Sequence, residues 1–249
     1  MLAVVFDMDG VLLDTESVCR KAWYLCGPQY GIKASSVEPL LRKCVGSNQE
    51  KMEETLYLEL GMDFPAKDFL QAAAEEIQRE LKRDGIPIKK GALEILTSLS
   101  KRGARLALAS STKTSQVEEE LSRAGLYGYF HYVIGGDRIK RSKPDPEIYL
   151  KACQGLGVLP EETYAVEDSY NGVRSASRAG LKTLMVPDIL EPTEEMEELA
   201  EGIFRDLFGV KSYLEQRAVI WNTDSKSVSL PDGHCHTDRR SQRAEREDL

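Results

Sequence analysis

Leu2 to Phe6 form an unbroken apolar run near the start of the chain, and two carboxylates, Asp7 and Asp9, follow it directly. An apolar run without alternation fits a parallel strand covered on both faces. Later segments have the same form: RLALASS at 105–111, HYVIGG at 131–136 and TYAVEDS at 163–169. Helix-like spacing lies between them, in Gly91 to Leu99, in Thr112 to Ser122 with Val117 and Leu121 on one side, and from Glu147 and Ile148 onward. Strands alternating with helices predict an α/β fold around a parallel sheet.

Between the first strand and the rest the pattern changes. Ser17 to Tyr30, Val37 to Lys43, Gln49 to Leu60 and Pro65 to Arg83 carry apolar residues at helical intervals, punctuated by Gly31, Gly46, Gly61 and Gly85. This predicts a small helical bundle inserted into the α/β unit. The linkers fall near Asp14–Glu16 and Ile86–Lys90 and can act as a hinge. The expected division is an α/β core from 1–14 and 91–214, a helical cap over 15–90, and a flexible extension over 215–249. A last core helix is expected over much of Glu194–Phe208, with the fold ending near Leu214.

The strand ends carry the chemistry. Asp7 and Asp9 sit where α/β sheets open onto a ligand crevice, and Gly10 permits a tight path after them. Acids this close repel one another and call for a cation, for which Mg²⁺ with its preference for carboxylates, water and phosphate oxygens is the natural candidate. The second run ends in the hydroxyls Ser110 and Ser111, placed before a helix start where a phosphate oxygen can be bound. Lys143 is followed by Pro144 and Pro146, which stiffen its approach, and another run ends in Glu167 and Asp168. Read singly, Ser110 is a helix cap, Lys143 a surface lysine, and Glu167 and Asp168 a helix-dipole pair. Their recurrence at successive strand ends is what one active site assembled across a sheet requires.

On DMDGVLLD at 7–14, LALASS at 106–111, SKPDPEIY at 142–149 and VEDSYNGVRSA at 166–176, in this order, the chain closely resembles the haloacid dehalogenase-like hydrolases. The branch is the one with a helical cap after the first strand, which contains phosphatases and β-phosphoglucomutase. The resemblance implies a Rossmann-like parallel sheet with an inserted α-helical cap. It implies that Asp7 attacks phosphorus to form an aspartyl phosphate and that Asp9 acts as general acid and then base. It also implies that Ser110, with Ser111 beside it, and Lys143 bind the transferring phosphoryl group. Mg²⁺ is then held by Asp7, the Asp9 carbonyl and Asp168, with Glu167 binding the ion or orienting its water. The dehalogenases of the family lack the second aspartate, so Asp9 directs the expectation to phosphoryl transfer.

The cap separates hydrolase from mutase. Where β-phosphoglucomutase calls for a histidine and an arginine, this chain places Cys19 and the stretch Ser47, Asn48, Gln49. Neutral groups weaken the grip a mutase needs on a distal phosphate, although Arg42, Lys43 or Lys51 can compensate. The expectation is therefore a Mg²⁺-dependent phosphatase acting on a small phosphomonoester such as a sugar phosphate. A mutase and a non-catalytic phosphate-binding module are the alternatives, and Cys19, Ser47, Asn48 and Gln49 are candidate cap contacts to substrate.

Composition agrees with an enzyme of small phosphorylated metabolites. The 249 residues carry a net charge of −8, which offers no basic footprint for nucleic acid. Cys19, Cys26, Cys44, Cys153 and Cys235 form no Cys-x-x-Cys pair or disulfide framework, so reduced thiols and a cytoplasmic setting are expected. The opening apolar run is too short for a signal peptide or membrane span. No obligate protein partner is indicated. His234, Cys235 and His236, adjacent in a polar tail, are weak grounds for a built metal site, and His131 has no evident partner that would make it a general base.

Overall fold

A computed structural model describes residues 1–45 and 47–224, the side chains of 218–224 excepted. The chain runs β1 (Ala3–Phe6), α1 (Thr15–Cys26), α2 (Ala34–Cys44), α3 (Gln49–Leu60), α4 (Ala66–Asp84), α5 (Ala92–Lys101) and β2 (Arg105–Ala109). It continues through α6 (Thr114–Arg123), β3 (Tyr132–Ile134), α7 (Glu147–Leu156), β4 (Thr163–Glu167), α8 (Tyr170–Arg178) and β5 (Lys182–Met185). It ends in α9 (Glu194–Leu199), β6 (Gly202–Ile203) and α10 (Leu207–Asp224). The six strands pair in parallel in the order β3-β2-β1-β4-β5-β6, a Rossmann-like core with a helical cap inserted after β1.

Both faces of the sheet are buried, and they differ in side-chain size. On one face Val4, Phe6, Leu106, Leu108, Tyr164 and Val166 pack under α5, α6 and α10 through Leu96, Leu121 and Val210. On the other, Val5, Ala107, Ala109 and Ala165 meet Ile148, Tyr149, Ala152 and Cys153 of α7. The alanines leave room for α7 to lie close to the sheet, which brings Tyr149 near the strand ends. The strand order reverses between β1 and β4, and α/β sheets open a ligand crevice at such a point.

Helices α1–α4 enclose a separate apolar cluster that includes Trp23, Val37, Leu40, Leu56, Phe69 and Ala73. Phe69 is its hub, with edge-on rings of Trp23, Tyr30 and Phe64 at centroid distances of 4.9, 5.5 and 5.9 Å. The two chain segments joining this bundle to the sheet run side by side. Asp14 N–H donates to Pro87 O and Lys89 N–H to Leu12 O, both at 2.9 Å. Lys89 Nζ also donates to Asp188 Oδ1 at 2.7 Å, which ties the second linker to the loop after β5.

Several elements depart from the sequence expectation. Thr15–Cys26 is helical, but Gly27–Tyr30 tightens into one 3₁₀ turn. The single helix expected over Glu194–Phe208 is instead α9, the edge strand β6 and the start of α10. Thr193 accepts the Met196 N–H to start α9, and Asp206 Oδ1 accepts the N–H groups of Phe208 and Gly209 to start α10. The fold does not finish at Leu214: Val210 and Leu214 anchor α10 on the core, and the helix continues to Asp224. The remainder of the expected extension, including His234, Cys235 and His236, lies outside the described residues. No helix among the described residues is long and apolar enough to cross a membrane.

Candidate active site

Asp7 follows β1, Ser110 follows β2, and Glu167 ends β4, so the paired strands deliver all three to one edge of the sheet. Lys143 reaches the same point from the loop before α7. Its Nζ donates to Asp7 Oδ1 at 2.5 Å, to Glu167 Oε1 at 2.6 Å and to Ala109 O at 3.3 Å. Lysine is costly to bury, and here two carboxylates and a carbonyl compensate it. Burial alone lowers the ammonium pKa, but Asp7 and Glu167 outweigh it and hold Lys143 above the usual lysine range.

Glu167 is fixed from every side. Oε1 also accepts the Tyr149 hydroxyl at 2.6 Å, while Oε2 accepts the Ser169 hydroxyl at 3.2 Å and the Asp168 N–H at 3.2 Å. Gly172 in α8 makes room for this carboxylate, because a Cβ there would sit about 2 Å from its atoms. Gly10 does the same for Asp168: its φ is +77°, and a Cβ would lie 2.2 Å from Asp168 Oδ2. Burial pushes the Tyr149 hydroxyl well above its ordinary pKa, with Glu167 and Asp7 adding to the effect, so it remains a donor.

Asp7, Glu167 and Asp168 offer three carboxylate oxygens that all lie within 4.8 Å of one another. Burial raises the pKa of Asp7 and of Asp168, and the neighbouring carboxylates raise both further, although Lys143 opposes this at Asp7. One ammonium against three buried carboxylates leaves an excess of negative charge. A compact set of hard oxygen donors with that excess fits a divalent cation such as Mg²⁺.

Asp9 stands apart from this cluster and is half-buried. It accepts hydrogen bonds from Thr15 Oγ1 at 2.7 Å, Ser110 Oγ at 3.3 Å and Thr112 Oγ1 at 3.4 Å. Ser110 is fully buried and also accepts the Thr112 N–H at 3.0 Å, whereas Ser111 is exposed and lines the cavity wall.

A cavity of about 340 Å³ connects this edge to the cap. Its core side carries Asp7, Asp9, Lys143 and Asp168, and its cap side includes Trp23, Leu41, Val45 and Met52. Of the cap residues singled out from sequence, Cys19 and Ser47 line the cavity, and Asn48 and Gln49 do not. Asn48 caps α3 by accepting the Lys51 N–H at 2.9 Å, and its Nδ2 reaches Ser142 Oγ of the core at 3.3 Å. Gln49, exposed on the first turn of α3, bonds Glu53 at 3.2 Å. Burial pushes the Cys19 thiol up to about 12, so it stays neutral. The residues that sequence reasoning missed are Thr15, Glu16, Thr112, Gln116, Glu120 and Tyr149. Thr15 and Thr112 lie beside motif residues, and that adjacency was the available signal.

Comparisons with known proteins place this fold and site in a family. Residues 4–186 match the family described as haloacid dehalogenase-like hydrolase. The chain belongs to this family. The phosphorylated carbohydrates phosphatase of Thermotoga maritima is 36% identical over 187 residues, covering 74% of this chain and 84% of that protein. Hexitol phosphatase A of Escherichia coli is 28% identical over 184 residues, 73% of this chain and 81% of its own. Among solved structures, CbbY from Rhodobacter sphaeroides in complex with phosphate superimposes with a TM-score of 0.68 at 28% identity, covering 83% of this chain and 95% of that one. Within this haloacid dehalogenase-like frame, the cluster of Asp7, Glu167 and Asp168 is the hydrolase active-site motif.

Proposed function

We propose that this protein is a Mg²⁺-dependent phosphatase of small phosphorylated metabolites, sugar phosphates foremost, working through an aspartyl phosphate on Asp7. The observation that carries the reading is the convergence of Asp7, Lys143, Glu167 and Asp168 at the point where the strand order reverses. The names of the similar phosphatases from T. maritima and E. coli support the substrate class.

In this mechanism an Asp7 carboxylate oxygen attacks phosphorus while the ester oxygen departs with a proton from Asp9. That step leaves Asp9 a carboxylate. It next takes a proton from water, whose oxygen attacks the aspartyl phosphate, releasing inorganic phosphate and restoring both acids. Thr15, Ser110 and Thr112 orient Asp9 for both transfers, and Lys143 holds Asp7 and offsets charge on the phosphoryl oxygens. Asp7, the Asp9 carbonyl and Asp168 would hold Mg²⁺, with Glu167 behind them, and the ion would supply electrostatic stabilisation of the phosphoryl group. The cap closes over the cavity on its paired linkers and excludes water.

Hydrolysis is favoured over a mutase by the charge of the cavity wall. Among its described lining residues the one cation is Lys143, already engaged by two carboxylates, so a second phosphate finds no free counter-charge. The test is phosphate release from a panel of sugar phosphates, nucleotides and small phosphomonoesters, with Mg²⁺ or chelator, by the wild type and Asp7→Asn. Metal-dependent release lost in Asp7→Asn is the expected result. Isomerisation of β-glucose 1-phosphate with little release would make the protein a mutase, and phosphate binding without turnover would make it a binding module.

A further inference from the structure

We propose that Gln116 and Glu120 on α6 form a subsite for substrate hydroxyls, which selects monophosphates of neutral, polyhydroxylated carbon chains over bisphosphates. The proposal rests on the phosphatase reading and names what that site holds beyond the phosphoryl group.

Val117 and Leu121 turn one side of α6 into the core, and Gln116 and Glu120, one turn apart, line the cavity together with Ile77 and Leu81 of α4. Glu120 is only 5% exposed. Gln116 Nε2 donates to its Oε1 at 2.9 Å, and no donor among the described residues reaches Oε2. Glu120 has no salt bridge among the described residues: the nearby Arg123 donates to Leu81 O at 2.7 Å and lies 4.0 Å from Glu119. Oε2 is open to the cavity, so its donors come from water or from a bound molecule.

The chemistry of the wall defines that molecule. Glu120 and Glu16 accept hydrogen bonds, Gln116 both donates and accepts, and Ile77 and Leu81 offer apolar surface. A sugar or polyol presents hydroxyl donors and C–H faces and fits both. A second phosphate would meet the Glu120 carboxylate and, apart from Lys143, no cation among the described lining residues. Burial moves Glu120 up to about 6, which still leaves it ionised and an acceptor at neutral pH.

Steady-state kinetics of the full-length enzyme with Mg²⁺ tests this, using Glu120→Ala, the near-isosteric Glu120→Gln and Gln116→Ala. The probes are glucose 6-phosphate, sorbitol 6-phosphate, fructose 1,6-bisphosphate and p-nitrophenyl phosphate, the last having no hydroxyl-bearing end. Expected are a rise of about tenfold or more in KM for the better hydroxyl-rich monophosphate in Glu120→Ala, an unchanged kcat, and an unchanged kcat/KM for the aryl phosphate. Glu120→Gln should recover part of that KM and narrow the preference for monophosphate over bisphosphate. Equal losses on aryl and sugar phosphates would mean a structural role and overturn the subsite, as would unchanged kinetics on both. A wild type that turns over the aryl phosphate while losing the contrast between probes removes the subsite alone. A wild type inactive on every probe removes the phosphatase reading with it.

Discussion

The two sides of the cavity are built on different physics. On the core side Asp7, Lys143, Glu167 and Tyr149 are buried and joined by hydrogen bonds of 2.5–2.6 Å, so each group fixes the next. On the cap side Trp23, Leu41, Val45 and Met52 present apolar surface, with the neutral thiols of Cys19 and Cys44 among them. A buried polar network loses much when one member changes, whereas an apolar wall tolerates replacement if volume is kept. The difference teaches where tolerance lies: the sheet edge holds its polar groups in one arrangement, and the apolar wall opposite bounds the space left to the rest of a bound molecule.

Lys143→Met breaks the core side most severely. It leaves Asp7 and Glu167 without their common cation and should lower turnover by about 10²- to 10³-fold, read as phosphate release. Denaturant unfolding in chelator should show a loss of about 3–5 kcal/mol, because a buried ion pair has lost one partner. Phe69→Ala attacks the cap side, removing the hub of its aromatic cluster. It should cost about 3–5 kcal/mol in the same assay. Because it touches no reacting group, it should raise KM for sugar phosphates more than it lowers kcat.

The same contrast explains what could be read from the sequence. Asp7, Lys143, Glu167 and Asp168 were legible because strand-like runs end at or near the acids and a stiff Pro-flanked segment carries the lysine. The α/β class and the inserted helices were legible from the change in period. Tyr149 was hidden, since a tyrosine on the apolar face of a helix reads as core, and only the packing of α7 against alanines brings its hydroxyl to Glu167. Glu120 was hidden in the run Glu118, Glu119, Glu120, which reads as a solvated face until α4 covers one end of it. Strands β5 and β6 are four and two residues long and carry too little pattern to be recognised. Asn48, a candidate cap contact because it stands where the mutase calls for an arginine, spends its side-chain carbonyl on capping α3.

Two smaller changes sharpen the comparison. Tyr149→Phe removes one donor from Glu167 and keeps the ring beneath Lys143, so it should cost about 1.5–3 kcal/mol in unfolding. It should also weaken Mg²⁺ binding, measured by calorimetry. Glu120→Gln gives a pH signature. The folded protein raises this carboxyl from 4.5 to about 6 through burial, so folding favours the protonated form. That stabilisation is full below pH 4.5 and is lost as pH rises through about 6. The amide does not titrate, so the Tm of Glu120→Gln should gain on the wild type between those values and hold a constant difference below them.

The central claim is that Asp7 becomes covalently phosphorylated during turnover. Rapid acid quench of the wild type with Mg²⁺ and its best phosphomonoester, followed by peptide mass spectrometry, tests it directly. The account predicts one phosphoryl group on the peptide containing Asp7, appearing before steady-state phosphate release and absent in Asp7→Asn. Phosphate release undiminished in Asp7→Asn, or a phosphoryl group on another residue, would contradict it.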